Sequence, residues 1–311
     1  MTELTPHFFA DPDEVVLGEV DQLDSSRPPA SFWAEAWASL RRRPLFWVSA
    51  ALTALVAVVA AFPGWFTSAD PLYCEIIRSL EPAESGHPLG FNEQGCDVYA
   101  RVIYGARASV SVGVLATLWA SLIGLVIGAL AGYYGGWVDA VLARLTDVFY
   151  AVPLVLAAIV VMQVFRSRAT VISVVAVIAM FAWVNVARIT RGGVIEVRSA
   201  DFVVAAKALG VSRLTSLVRH VLPNTIAPII VMATTQLGTF IVLEATLSFL
   251  GLGLPSSMAS WGQDIADAQR VLRQEPMLLF YPAAALAVTV LAFIMMGDAI
   301  RDALDPKAVK R

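Results

Sequence analysis

Cys74 and Cys96 are the only cysteines in the 311 residues, and both fall in one polar stretch between the first two long apolar runs. In an oxidising compartment two thiols placed in this way join as a disulfide; otherwise they stay as separate thiols. Asp147 and Glu244 are acids at or inside apolar runs. An acid in hydrocarbon is by default a functional candidate. Glu244 has no second acid beside it to make a proton relay, so a structural hydrogen bond is the favoured reading and a path-lining role the alternative. Asp147, near the start of its run, is expected to reach the interface or a basic neighbour. His7, His87 and His220 are far apart and make no metal site, even with the two cysteines. No G-x-x-x-x-G-K-[ST] phosphate cradle and no G-x-S-x-G elbow occurs. The chain therefore carries no catalytic set, and any ATP it uses must be bound by a partner.

The remaining chemistry is recognition. In "DFVVAAKALGVSRLTSLVRHVLPN", Asp201 to Asn224, the residues Phe202, Ala205, Ala206 and Leu209 recur at i, i+3, i+4, i+7. They predict one narrow apolar face on a helix of about two turns. Gly210 stops that helix at low steric cost. Ser212 caps a second helix, with Leu214, Leu217, Val218 and Val221 on its face, before Pro223. Helices this short must dock to be stable. Periodicity alone leaves two docks open: a groove on a soluble partner, or the chain's own bundle.

The elements that must position these residues are built for lipid. Hydrophobic residues make up 58% of the chain and charged ones 15%. The apolar residues fall in six runs of roughly span length: Leu45 to Phe66, Ser109 to Ala131, Leu145 to Phe165, Val171 to Ala187, Thr225 to Leu247 and Leu279 to Gly297. About 20 apolar residues cross a bilayer as a helix, and these runs are too long for barrel strands. The fold class is an all-α polytopic membrane protein. More than 40 residues precede the first run, which reads as an uncleaved anchor rather than a signal peptide.

Six spans put both termini on one side. Of the 22 Arg and Lys, 15 lie on that side, among them Arg41 to Arg43, Arg188, Arg191, Arg198, Lys207 and Arg213. The positive-inside rule makes both termini and the 199–222 segment cytoplasmic. Residues 1–30 are acidic and read as a disordered tail. In 31–43, Trp33, Ala36, Trp37 and Leu40 give an interfacial helix, separated from the first span (44–66) by Pro44. The loop 67–108 is extracytoplasmic, the core runs over 109–306, and 307–311 is a short tail. Gly124, Gly128 and Gly132, four apart, lay a smooth strip for close helix packing along the second span. Pro153, Pro228 and Pro282 are expected to bend three later spans.

Val204-Ala205-Ala206, then Gly210, then Leu222-Pro223 resembles the EAA loop of bacterial ABC importer permeases, with Val204 where that pattern has Glu. The likeness extends along the chain from about Arg41 to Pro306. "HPLGFNEQGCDVYARVIYGARASVSVG", "AGYYGGWVDAVLARLTDVFYAVP", "EATLSFLGLGLP", "SWGQDI" and "GDAIRDALDP" are similar to segments of the second permease of oligopeptide and dipeptide importers. Cys96 stands where that group commonly has Arg, and Cys74 lies in a stretch without a match.

This resemblance implies a type I ABC importer permease fold with a cytoplasmic coupling helix, in a bacterial plasma membrane. It implies a second homologous permease, cytoplasmic ATPase subunits that bind ATP and Mg, an extracytoplasmic peptide-binding protein and a peptide substrate. It implies no cofactor in this chain and no nucleic acid. Asp201, Phe202, Ala205, Ala206, Lys207, Leu209 and Gly210 are the implied ATPase contacts. Ser260, Trp261 and Gly262 are implied to help close an outer gate or meet the binding protein, with a passive capping loop as the alternative. Substrates rank as oligopeptides, then dipeptides, then nickel chelates or glutathione-like thiols. A secondary transporter would show inverted repeats and paired intramembrane ionisable residues. A channel would show a filter or charged ring. None of these features is visible, while a non-transporting scaffold that binds an ATPase is left open by the residues alone.

Overall fold

The computed structural model describes residues 32–165 and 169–304. The expected tails, 1–30 and 307–311, lie outside the described residues. Eleven α-helices follow in order, with no strand among the described residues: α1 (Phe32–Leu40), α2 (Pro44–Ala61), α3 (Val98–Tyr134), α4 (Gly136–Ala151), α5 (Leu154–Phe165), α6 (Val171–Arg198), α7 (Asp201–Ala208), α8 (Arg213–Ser216), α9 (Leu222–Phe249), α10 (Trp261–Ala268) and α11 (Met277–Leu304). Five helical stretches are long and apolar enough to cross a membrane, or six if the bent pair α4–α5 counts as one span.

Several boundaries differ from the sequence expectation for identifiable reasons. The first span stops at Ala61, not Phe66, because Pro63 cannot continue the helix and opens a 3₁₀ turn. Arg107 then donates to the freed carbonyls of Ala60 and Ala61, at 3.1 and 2.8 Å. The run Leu145 to Phe165 is not one helix. It breaks at Val152–Pro153, with 80° between the pieces, since Pro153 disfavours helical geometry at the residue before it. α5 alone spans about 18 Å, short of the roughly 30 Å of hydrocarbon. Pro228 and Pro282, by contrast, sit inside continuous helices.

The centre of the bundle is the pair α3 and α6. Gly124, Gly128 and Gly132 face Val186, Thr190 and Val194, so both helices advance in the same direction four residues at a time. A Cβ at Gly128 would stand 2.4 Å from the Ala187 carbonyl oxygen. The glycine strip is thus the contact surface, as small-xxx-small spacing requires. α9 packs against both helices, burying Phe240, Leu243 and Leu247 against Val112, Ala116, Val174 and Ile178. α11 covers α9, and α2 lies outermost on α11 and α3. An Arg43–Asp302 ion pair ties the start of α2 to the end of α11.

Candidate functional site: the α6–α9 connection and the opposite end

Near the end of α3, Gly132 packs on Arg191 and Val194, about one turn before α6 ends at Arg198. The connection to α9 begins there. Ala200 is the N-cap of α7, and Gly210 follows its C-cap Leu209 at φ +87°, a left-handed conformation that glycine adopts at no Cβ cost. Val211 N donates to Ala206 O at 3.1 Å and Gly210 N to Lys207 O at 3.0 Å. These two bonds are the Schellman pair, which satisfies the last carbonyls of the helix. Ser212 caps α8, its hydroxyl accepting from Thr215 N at 3.2 Å.

The expected second amphipathic helix is not a separate element. α8 runs through one π-helical turn, Leu217–Val221, into α9. Pro223 lacks an N–H for the Arg219 carbonyl, so the turn widens. Asn224 Nδ2 donates to His220 O at 2.6 Å across it. Leu217 and Val221 are buried, whereas Leu214 and Val218 are exposed.

The face of α7 also differs from the expected one. Val203 (0% exposed) and Ala206 (8%) point inward. Val203, with Leu217 and Val221, packs on Ala129, Tyr133 and Val194 at the ends of α3 and α6. Ala206, one of the expected contacts, is thus buried on the inner face. Phe202, Ala205 and Leu209 form the outward row, flanked by Val204, and Leu209 is 86% exposed. Asp201 and Gly210 are exposed too. Lys207 reaches back, its Nζ 5.0 Å from the centre of the Tyr133 ring. The segment thus docks on its own bundle by one face and exposes an apolar row on the other.

Two ion pairs brace this end. Arg191 grips Asp139 with two bonds, at 2.5 and 2.7 Å, holding α4 to α6. Arg188 meets Asp147 at 3.1 Å, the basic neighbour expected for that acid.

At the opposite end, Cys74 and Cys96 are joined as a disulfide. The loop it closes packs on the start of α3, where Asp97 caps the helix by accepting from Ala100 N at 3.0 Å and meets His87 Nδ1 at 2.5 Å. Ser260, Trp261 and Gly262 open α10 and are buried. Trp261 Nε1 donates to Val102 O at 2.9 Å, and a Cβ on Gly262 would stand 2.3 Å from Ala245 O. The three residues are thus wedged between α3 and α9. Beside them Arg101 Nε meets Asp264 Oδ1 at 2.5 Å, and Arg101 Nη1 reaches Pro71 O at 3.3 Å. Burial pushes the Asp264 carboxyl up to about 6 against the opposing pull of Arg101.

Glu244 is fully buried in α9. It accepts from Ser248 Oγ at 2.7 Å, and the same hydroxyl accepts from Leu254 N at 3.1 Å. Ser248 thereby links Glu244 to the turn that leads to α10. The Arg101–Asp264 and Arg191–Asp139 pairs had no such signal, because their partners lie 163 and 52 residues apart. Val203 was hidden for another reason: a two-turn helix has no unique apolar phase. Among the described residues no His, Cys, Asp or Glu cluster could hold a metal.

This geometry can be set beside known proteins. A family model described as "Binding-protein-dependent transport system inner membrane component" matches residues 124–310. A second, "N-terminal TM domain of oligopeptide transport permease C", matches residues 31–81. The oligopeptide transport system permease protein OppC of Bacillus subtilis (strain 168) is 32% identical over 98% of this chain and 99% of that protein. The dipeptide transport system permease protein DppC of Alkalihalophilus pseudofirmus is 35% identical over 88% and 90%. The glutathione transport system permease protein GsiD of Escherichia coli O6:K15:H31 is 37% identical over 91% and 92%. Among solved structures, a chain of the inward-facing MetNI methionine ABC transporter matches 66% of this chain and 96% of its own, with TM-score 0.55 and 15% identity. An amino acid ABC transporter matches 65% and 92%, with TM-score 0.51 and 18% identity. At those identities the structural likeness concerns the fold alone.

Proposed function

The chain belongs to the family of binding-protein-dependent transport system inner membrane components, and from that premise we propose that it is one of two permease subunits of an ATP-driven peptide importer. The relatives carry oligopeptide, dipeptide or glutathione in their names, and all three are peptides, which supports a peptide substrate. Oligopeptides come first, because the N-terminal match is to an oligopeptide permease. The chain holds no nucleotide site; ATP and Mg belong to ATPase subunits on the cytoplasmic side. The excess of Arg and Lys supports cytoplasmic termini and a cytoplasmic α6–α9 connection.

The observation that carries this reading is the exposed row Phe202, Ala205 and Leu209 on a helix whose other face is locked to α3 and α6. A groove in an ATPase subunit receives that row. Movement of the groove then reaches the spans through Val203, because close-packed contacts transmit displacement instead of absorbing it. α3 and α6 follow as one body, the glycine strip leaving no slack between them. The path opens to one side and then the other as the two permeases rock. At the far end, the α9–α10 turn anchored by Glu244 is the element that shapes the outer gate, and exposed parts of the disulfide loop, not Ser260 to Gly262, meet the binding protein.

Crosslinking tests this. Ala205→Cys, exposed where Ala206 is not, is paired with cysteines around the groove of a co-expressed ATPase. A crosslink whose yield changes with ATP is expected. An intact complex with no crosslink at any groove position would remove the coupling role.

A further inference from the structure

An open cleft of about 580 Å³ separates part of the α7–α8 segment from the ends of α3 and α6. Tyr133 and Tyr134 line one wall, Arg198 a second, and Lys207, Val211 and Arg213 a third. Three cations face this space and no carboxylate does. Arg198 donates to the Gly132 carbonyl at 2.6 Å, and Lys207 lies over the Tyr133 ring. Among the described residues none of the three has an ion-pair partner. Asp139 feels the charge of Arg198, yet it is already held by both bonds from Arg191. Like charges around one hollow repel, and an anion entering it relieves that repulsion. Guanidinium and ammonium groups converging in this way suit carboxylates.

A source of carboxylates is present in the same chain. Ahead of α1 stand Glu3, Asp11, Asp13, Glu14, Glu19, Asp21 and Asp24, against a single Arg27. That segment and the cleft lie on one side of the membrane, because α2 and α3 each cross once between them and the end of α3 forms a wall of the cleft. Reach is no obstacle: some 30 extended residues cover up to about 100 Å, against about 55 Å for the whole of α3.

We infer that the acidic N-terminal segment seats carboxylates in the cleft formed by Arg198, Lys207 and Arg213. Each carboxylate placed there bridges cations of α6 to cations of the α7–α8 segment, clamping the segment to the bundle. The inference rests on the membrane-spanning reading but not on the assignment of the outward face of α7 to an ATPase. An acidic side chain of a partner subunit or a lipid headgroup would be a different occupant.

Lys207 makes the test specific, since it is the only lysine before Lys307. A water-soluble carbodiimide joins an amine to a carboxylate at ion-pair range without adding a spacer. The assembled complex with the full-length chain is treated in membranes, digested, and searched by mass spectrometry for peptides joined through Lys207. A product linking Lys207 to one of the seven acids is expected. Its yield should fall severalfold as salt shortens the screening length from about 10 Å at 0.1 M to about 3 Å at 1 M. Lys207→Arg keeps the charge and removes the product. Changing the seven acids to Asn and Gln removes it too, with the complex still assembled. A Lys207 product formed only with an ATPase or permease partner would overturn the inference, and so would no Lys207 product at all. If the Ala205→Cys crosslink fails while the product with the seven acids forms, the coupling assignment falls and this inference stands; the converse result does the reverse.

Discussion

Arg101 and Asp264 meet at 2.5 Å, although 163 residues separate them, and their side chains are only 6% and 11% exposed. The pair ties the first turn of α3 to α10, and through Pro71 O it also holds the disulfide loop. Removing one partner strands the other without its counter-charge. Arg101→Ala is expected to destabilise the protein by about 3–5 kcal/mol. Thermal unfolding of the detergent-purified chain measures this; an unchanged midpoint would show that the pair contributes nothing.

Asp264 also sets a pH dependence. Burial raises its folded carboxyl to about 6 from an ordinary 3.8, so the folded protein binds this proton more tightly than the unfolded chain does. The resulting stability is present below about pH 4 and lost as pH rises through about 6. Melting temperatures across pH 4–7 should therefore show a downward component with rising pH in the wild type, and Asp264→Asn should flatten it. An Asp264→Asn profile parallel to the wild type would contradict the assignment.

The glycine strip predicts opposite signs for two similar changes. Gly128→Ala puts a methyl group 2.4 Å from the Ala187 carbonyl oxygen, and overpacking of this kind costs about 1–3 kcal/mol. Gly192→Ala, within α6 and with nothing within 4 Å, is expected to gain up to about 1 kcal/mol from helix propensity. Comparing the two midpoints separates close packing from propensity.

Gly210→Ala retains open space but must hold φ +87°. A left-handed conformation costs a residue with a Cβ about 1–2 kcal/mol. The end of α7 should loosen, Leu209 should shift, and the ATP-dependent change in the Ala205→Cys crosslink should shrink. Gly210→Asn should recover part of it.

Cys74→Ser removes a bridge across a sequence separation of 22 residues. Loop-closure entropy assigns such a bridge about 3 kcal/mol. Faster proteolysis within residues 67–97, with the spans intact, is the expected result.

Much of this protein was legible without coordinates. Hydrocarbon demands long apolar runs, so the spans stood out in composition, and four-residue glycine spacing marked the α3 face that meets α6. Gly210 and Ser212 marked the helix end and the cap because only local geometry decides them. The paired cysteines drew attention by being the only two, but their bond depended on where the loop folded. Other features were decided by the tertiary structure. A two-turn helix carries too few residues to fix an apolar phase, so whether Val203 or Phe202 turned inward depended on the surface offered by Ala129, Tyr133 and Val194. The break at Pro153 and the unbroken helices through Pro228 and Pro282 share one residue type, so residue type alone did not decide between them. Arg101 found Asp264, and Arg191 found Asp139, only when helices far apart in sequence were packed side by side. Local chemistry is written along the chain, whereas partnership between distant charges exists only once the bundle has closed around them.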